Sequence, residues 1–198
     1  MKPLPKILLT LTAVAITSLF CARPAQAYTV TLHQVEANVV ATGSGAINLT
    51  GLTLFITSTP QAEVFAQVAL ITTGQSSVDV PTYIGSSGPT SFGSGMGFLP
   101  NTSSGDFVGI QGHIGHLFVP AGYVSNHTPS DSMTFTGATF ASLGVTPGAY
   151  TWTWGTGLAN QNFTLQIGPA TVPDSGSTVF LLGCALLGLA ALRRKLSC

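Results

Sequence analysis

The chain of 198 residues has little charge: 6% of it is Asp, Glu, Lys or Arg, against 45% hydrophobic. A soluble globular chain carries about 25% charged residues. The deficit has a pattern, because all 6 Lys and Arg residues lie near the ends, at Lys2, Lys6, Arg23, Arg193, Arg194 and Lys195. Between Tyr28 and Thr171 there is no Lys or Arg, and the side-chain charges are Glu36, Glu63, Asp79, Asp106 and Asp131. A surface without cations cannot neutralise phosphates by releasing counterions, which excludes nucleic acid as a partner. The same lack disfavours an anionic membrane surface. Cysteine is missing from this stretch too, since Cys21, Cys184 and Cys198 fall outside it. The centre must therefore fold without disulfides, and it can enter an oxidising compartment without mispairing. Domains of about 150 residues bury enough surface to do so. No fixed-period repeat is present, which argues against a solenoid or propeller.

The two ends carry what the centre lacks. Residues 1–27 read as a secretory signal: Lys2 and Lys6 form a positive head, "ILLTLTAVAITSLF" is the apolar run, and Ala25 and Ala27 set a small-x-small site before Tyr28. Cleavage by signal peptidase is expected after Ala27. Lipidation at Cys21 is not expected, because Phe20 stands where lipoprotein cleavage needs a small residue. At the other end "STVFLLGCALLGLAAL", residues 177–192, would cover roughly 24 Å as a helix, a little short of a usual membrane span. Arg193, Arg194 and Lys195 follow directly and mark a cytoplasmic stop. A transmembrane helix over 177–192 is the expectation, preferred to a buried core helix, which would not place three cations directly after its apolar run.

"VPDSG", residues Val172, Pro173, Asp174, Ser175 and Gly176, precedes that run. Pro173 excludes helix, and Ser175 and Gly176 keep the backbone slim and mobile for a protease groove. Motif, apolar run and basic cluster in this order resemble the sorting signal of the PEP-CTERM class, in its VPDSG form. Asp-Ser stands where the commoner form has Glu-Pro. The resemblance implies recognition and processing by an exosortase in a Gram-negative bacterium that secretes extracellular polysaccharide. It also implies a transient tether to the inner membrane and a final place at the cell surface or in the extracellular matrix.

Three domains follow: 1–27 signal peptide, 28–171 ectodomain, and 172–198 sorting signal. Within the ectodomain, "YTVTLHQV" puts Tyr28, Val30 and Leu32 on one face, "FTLQIG" puts Phe163, Leu165 and Ile167 together, and "AINLTGLTLFI" is rich in β-branched residues. Runs of Gly, Pro, Ser and Asn between them supply turns. "PQAEVFAQVALIT", Pro60 to Thr72, fits a helix or a strand. The fold class expected is all-β, an antiparallel β-sandwich flanked by a signal helix and a C-terminal transmembrane helix. "NVVATGSGAINLTGLT", "LFVPAGYVS" and the block around "TWTWG" also resemble a group of exported PEP-CTERM proteins with a Trp-Thr-Trp-Gly block, which implies no particular active site.

Candidate chemistry is sparse. In "GHIGH" the glycines argue against a helix, and on a strand His113 and His116 would face opposite sides, so a metal pair is not expected. The carboxylates form no calcium loop and read as solvated turn residues. No G-x-S-x-G elbow, central cysteine nucleophile or recognisable carboxylate pair points to hydrolysis. Neither enzymatic activity nor a cofactor is expected, and an extracellular hydrolase would need two carboxylates gathered in one cleft. Tyr150, Trp152 and Trp154 alternate in "YTWTWG" and so share a strand face. That row is read first as core, and as a glycan-binding platform only if the indoles are exposed. The function expected is structural or interactive, at the surface or in the matrix; the alternative is a carbohydrate-binding module or adhesin for extracellular polysaccharide.

Overall fold

The computed structural model describes residues 26–76 and 78–168. The signal segment up to Ala25, the motif Val172–Gly176, the run 177–192 and the basic residues 193–195 lie outside the described residues. Among the described residues twelve strands form two six-stranded sheets. The first runs in the order β11 (Gly148–Thr153), β12 (Asn162–Ile167), β1 (Tyr28–Val35), β2 (Asn38–Ser44), β10 (Ser130–Phe135), β7 (Thr102–Gly105). The second is β3 (Thr53–Ser58), β6 (Val80–Ile84), β9 (His116–Phe118), β8 (Val108–Gln111), β5 (Leu70–Thr73), β4 (Glu63–Phe65). All pairings are antiparallel except one. The first and last strands, β1 and β12, lie parallel with Tyr28 opposite Phe163 and Leu32 opposite Ile167.

Period-two alternation builds the first sheet. Tyr28, Val30 and Leu32 on β1, Val39 and Ala41 on β2, Met133 and Phe135 on β10, and Phe163, Leu165 and Ile167 on β12 are all buried. They meet Ile71, Ile110, Leu117 and Val119 of the second sheet and its flank in one core. Each Val, Leu, Ile, Phe or Met side chain among them contributes about 1.5–3 kcal/mol when removed from water. The second sheet is covered on its other face as well. Leu70, Val80, Phe107 and Phe118 form a separate small cluster there, so β5 is buried at every position and its sequence "LITT" shows no alternation. The ambiguous stretch 60–72 resolves into β4, a single 3-10 turn at Ala66–Val68, and β5. Ala69 closes that turn with φ 51°, so the chain reverses before a helix can form.

One expected strand is shorter than its sequence pattern. Of the region from Ala46 to Ile56 only the last four residues are strand, as the start of β3 (Thr53–Ser58). Asn48 accepts a hydrogen bond from the Thr50 N–H at 3.0 Å, and the Leu52 N–H reaches the Leu49 carbonyl at 3.0 Å. This local side-chain turn competes with the ladder. Nor is β3 half-buried: all six of its residues are exposed, with Phe55 at 58%. It is the edge strand of its sheet and reaches past the core.

Leu165→Ala is expected to lower unfolding free energy by about 2–5 kcal/mol. Phe55→Ser should change it by less than about 0.5 kcal/mol. Urea denaturation of the ectodomain compares the two.

Candidate functional site

The aromatic row "YTWTWG" faces inward. Trp152 is 0% and Trp154 5% exposed. The Trp152 indole N–H donates to the Pro89 carbonyl at 2.7 Å and the Trp154 indole N–H to the Asn48 carbonyl at 2.7 Å. Tyr150 is half-buried, donates to the Thr146 carbonyl at 3.0 Å and packs against Phe92. Trp154 does line a shallow groove with Ser87, Thr153, Leu158 and Asn162, but its ring is under the surface. Neither indole of the row Tyr150, Trp152 and Trp154 therefore offers a ring face to stack on a sugar, and Tyr150 alone is half-exposed. The large apolar area of the indoles is spent on the core, and both polar N–H groups are satisfied internally.

"GHIGH" is a hairpin turn between β8 and β9, with Gln111 paired to His116. Its glycines have a packing reason. A Cβ on Gly112 would lie 2.1 Å from the Trp152 Nε1, and Gly115 takes φ +69°. The tight turn thus serves the tryptophan. His116 is partly covered, stacks near Phe55 with ring centroids 5.4 Å apart, and is held below the usual histidine range by burial. Among the described residues no three of His, Cys, Asp and Glu gather around one point that could hold a metal ion.

The carboxylates are not all in solvated turns. Glu36 sits in the β1–β2 turn with φ 54°, and Asp79 and Asp106 are exposed. Glu63 on β4 is half-buried, and burial raises its pKa. Asp131 is the correction: it lies on β10 and is only 8% exposed. The alternation in "SDSMTF" puts it on the core face with Met133 and Phe135, a signal visible in the sequence once the strand is assigned. The Tyr28 hydroxyl donates to Asp131 Oδ2 across the sheet. Gly43 on β2 lies between them, and a Cβ there would fall 2.1 Å from the phenol oxygen and 2.4 Å from Oδ1. Oδ1 itself has no hydrogen-bond partner among the described residues. Burial drives the Asp131 pKa up to about 6, with the Thr73 and Tyr28 hydroxyls pulling it down and Asp106 pushing it further up. Burial, together with the neighbouring carboxyl, raises the Tyr28 phenol well above its usual value. Asp106 instead lines a surface pocket with Tyr123 and His127.

The outer face of the first sheet is an uncharged field of hydroxyls. In register across five adjacent strands stand Gln166, Thr31, Thr42, Ser132 and Ser104. A second row, two residues along, is Thr151, Thr164, Thr29, Ser44 and Ser130. Every one of these side chains is exposed or half-exposed. Neighbours bond laterally: Thr31 to Thr42 at 2.8 Å, Ser104 to Ser132 at 3.0 Å and Thr151 to Thr164 at 3.3 Å between hydroxyl oxygens. No Asp, Glu, Lys or Arg occupies a strand position on this face. Adjacent strands are about 4.8 Å apart, and each hydroxyl retains acceptor capacity after its lateral bond. The face can therefore form hydrogen bonds to a neutral polar chain, and it presents no Asp, Glu, Lys or Arg to an ion.

Comparison with known families adds the tail. Residues 171–196 match the VPDSG-CTERM motif. The chain carries a PEP-CTERM-type sorting signal. Neither a curated protein nor a solved structure matches the chain. The match does not reach the Trp-Thr-Trp-Gly block, so the sorting signal is the shared feature and the ectodomain has to be read from its own geometry. Among the described residues no helix is long and apolar enough to cross a membrane, and the run 177–192 lies outside them.

The buried carboxyl of Asp131 sets a pH dependence. Folding raises the pKa of Asp131, so the native state holds this proton more tightly than the unfolded chain. Stability is then greatest below about pH 4 and falls as pH rises through about 6. The expected span is up to about 3 kcal/mol at about 1.4 kcal/mol per unit. Asp131→Asn should flatten this component. Urea midpoints measured from pH 4 to pH 8 for both proteins check it, and equal slopes would remove Asp131 as the source.

Proposed function

We propose that this is an exported, exosortase-processed protein of a Gram-negative bacterium, with a non-catalytic β-sandwich ectodomain displayed at the cell surface or in the extracellular matrix. The sorting signal at residues 171–196 carries the first part of the reading. The sequence supports the route: a signal segment to Ala27 for translocation, and an apolar run 177–192 with a basic stop for transient anchoring in the inner membrane.

The ectodomain's role is contact with neutral extracellular polysaccharide. The observation that supports it is the hydroxyl field on the outer face of the first sheet, in rows such as Gln166–Thr31–Thr42–Ser132–Ser104. A neutral polyol offers the same alternation of donors and acceptors, and neither side has to desolvate an ion. The contact is weak per residue, since each exchanged hydrogen bond contributes about 0.5–1.5 kcal/mol. Repetition across the sheet and along the polymer makes it useful, as linked weak contacts reinforce one another. This differs from an aromatic platform, whose two indoles in this chain are buried.

Two measurements test the proposal. In a host with its exosortase, intact mass of the mature protein should lack residues 177–198, and their retention would refute processing. Recombinant 28–168 should be retained on the producer's neutral polysaccharide with little change between low and high salt. The triple variant Thr31→Val/Thr42→Val/Ser132→Ala, shown to be folded by circular dichroism, should bind at least about 10-fold more weakly, equivalent to about 1.4 kcal/mol. Retention that disappears with salt, or that the variant preserves, would count against the hydroxyl face.

A further inference from the structure

At the expected cleavage junction, Ala27–Tyr28, Gln26 is exposed and Ala27 half-buried, but the chain enters the fold at Tyr28 and its backbone is already paired there. Tyr28 is 0% exposed, with its ring against Phe163 at 5.2 Å and its hydroxyl on Asp131. Its backbone N–H donates to the Ala46 carbonyl at 3.0 Å, and the Ala46 N–H donates back across the junction to the Gln26 carbonyl at 2.8 Å. Ala27 bridges Ala46, and the Thr29 hydroxyl donates to the Ala27 carbonyl at 3.2 Å. Gly45 presses so closely that a Cβ on it would lie 2.6 Å from the Ala27 oxygen and 2.7 Å from the Tyr28 Cα. From Thr29 to Leu32 β1 is paired on both sides, with β12 and β2. A protease needs the chain free of its neighbours on both sides of the scissile bond, and such sites are normally exposed loop tips. Here the residue on the far side of the bond is one of the largest buried side chains of the core.

We propose that signal removal at Ala27–Tyr28 must precede closure of β1 into the first sheet, and that the folded ectodomain protects the junction from signal peptidase. The proposal rests on the reading of residues 1–27 as a secretory signal. Topology makes the order workable. The partner on one side of β1 is β12, near the end of the ectodomain, so the sheet cannot close around the junction until almost the whole domain has been translocated. Cleavage adds water across the Ala27–Tyr28 amide, leaving a carboxylate on Ala27 and an α-ammonium on Tyr28. The ammonium retains the Ala46 carbonyl as acceptor, while the Ala46 N–H and the Thr29 hydroxyl lose the Gln26 and Ala27 carbonyls. The mature domain thereby gains a cation in a stretch that has no Lys or Arg.

The test uses the full chain in detergent micelles with purified signal peptidase, followed by intact mass. One sample is folded first and checked by tryptophan fluorescence; the other is diluted from urea directly into the peptidase. Cleavage of the folded sample is limited by the population of opened chain, and it should be at least about 100-fold slower. A variant with Gly-Ser-Gly-Ser inserted between Ala27 and Tyr28 moves the junction off the sheet and should be cut as fast folded as unfolded. Equal rates for the two wild-type samples at Ala27–Tyr28 would overturn the proposal, as would a folded spacer variant that stays resistant. No cut, or a cut elsewhere, in the urea-delivered chain would overturn the junction itself, separately from any failure of protection.

Discussion

The first sheet depends on the placement of its first strand. β1 stands third in the order, with the last strand on one side and β2 on the other, so its inward residues are covered from both flanks and from the opposing sheet. Tyr28 anchors it: the ring packs on Phe163, which in turn meets Trp152 edge-on at 6.0 Å. Trp152 then fixes the Pro89 loop and, through Gly112, the β8–β9 turn of the second sheet. One chain of aromatic contacts therefore connects the start of the domain, its end and both sheets. Because those contacts span nearly the full length of the ectodomain, they form only when the chain is available as a whole.

A second constraint is the absence of Lys and Arg from the ectodomain. No carboxylate in it can be neutralised by a side-chain ammonium or guanidinium. Most of the acids therefore remain in water, and the one that is buried, Asp131, is served by a phenol and raised in pKa by burial. Polar exterior positions are filled with hydroxyls and amides instead of ions. Such a surface remains hydrated through hydrogen bonds, which depend little on ionic strength. It leaves few electrostatic devices to protect the exposed edge strand β3, which carries Leu54, Phe55 and Ile56 and no charge.

Local sequence determined a good part of this molecule. Alternation in "YTVTLHQV" and "FTLQIG" places Tyr28, Val30, Leu32, Phe163, Leu165 and Ile167 inward because side chains on an extended chain point to opposite faces in turn. The tail motif is legible because it is linear: five consecutive residues, then an apolar run and a basic cluster. The glycines of "GHIGH" excluded a helix, but the reason for Gly112 is the indole of Trp152, forty residues distant in the chain by number.

Tertiary structure decided what depends on neighbours. Whether the "YTWTWG" row faces a ligand or the core is settled by which surface the sheet is packed against, and alternation alone cannot distinguish the two. β5 lost its periodicity because both of its faces are covered. Asp131 became a core residue because β10 pairs with β2 in a register that sets it opposite Gly43, where the missing side chain leaves room for a carboxyl and a phenol. The hydroxyl rows exist only once β7, β10, β2, β1, β12 and β11 stand side by side, since residues as distant as Thr31, Ser104 and Gln166 have no relation until hydrogen-bond register aligns them. The sequence by itself determined which residues alternate and how the tail is addressed; only long-range pairing could choose which alternating face is buried and which is presented to the medium.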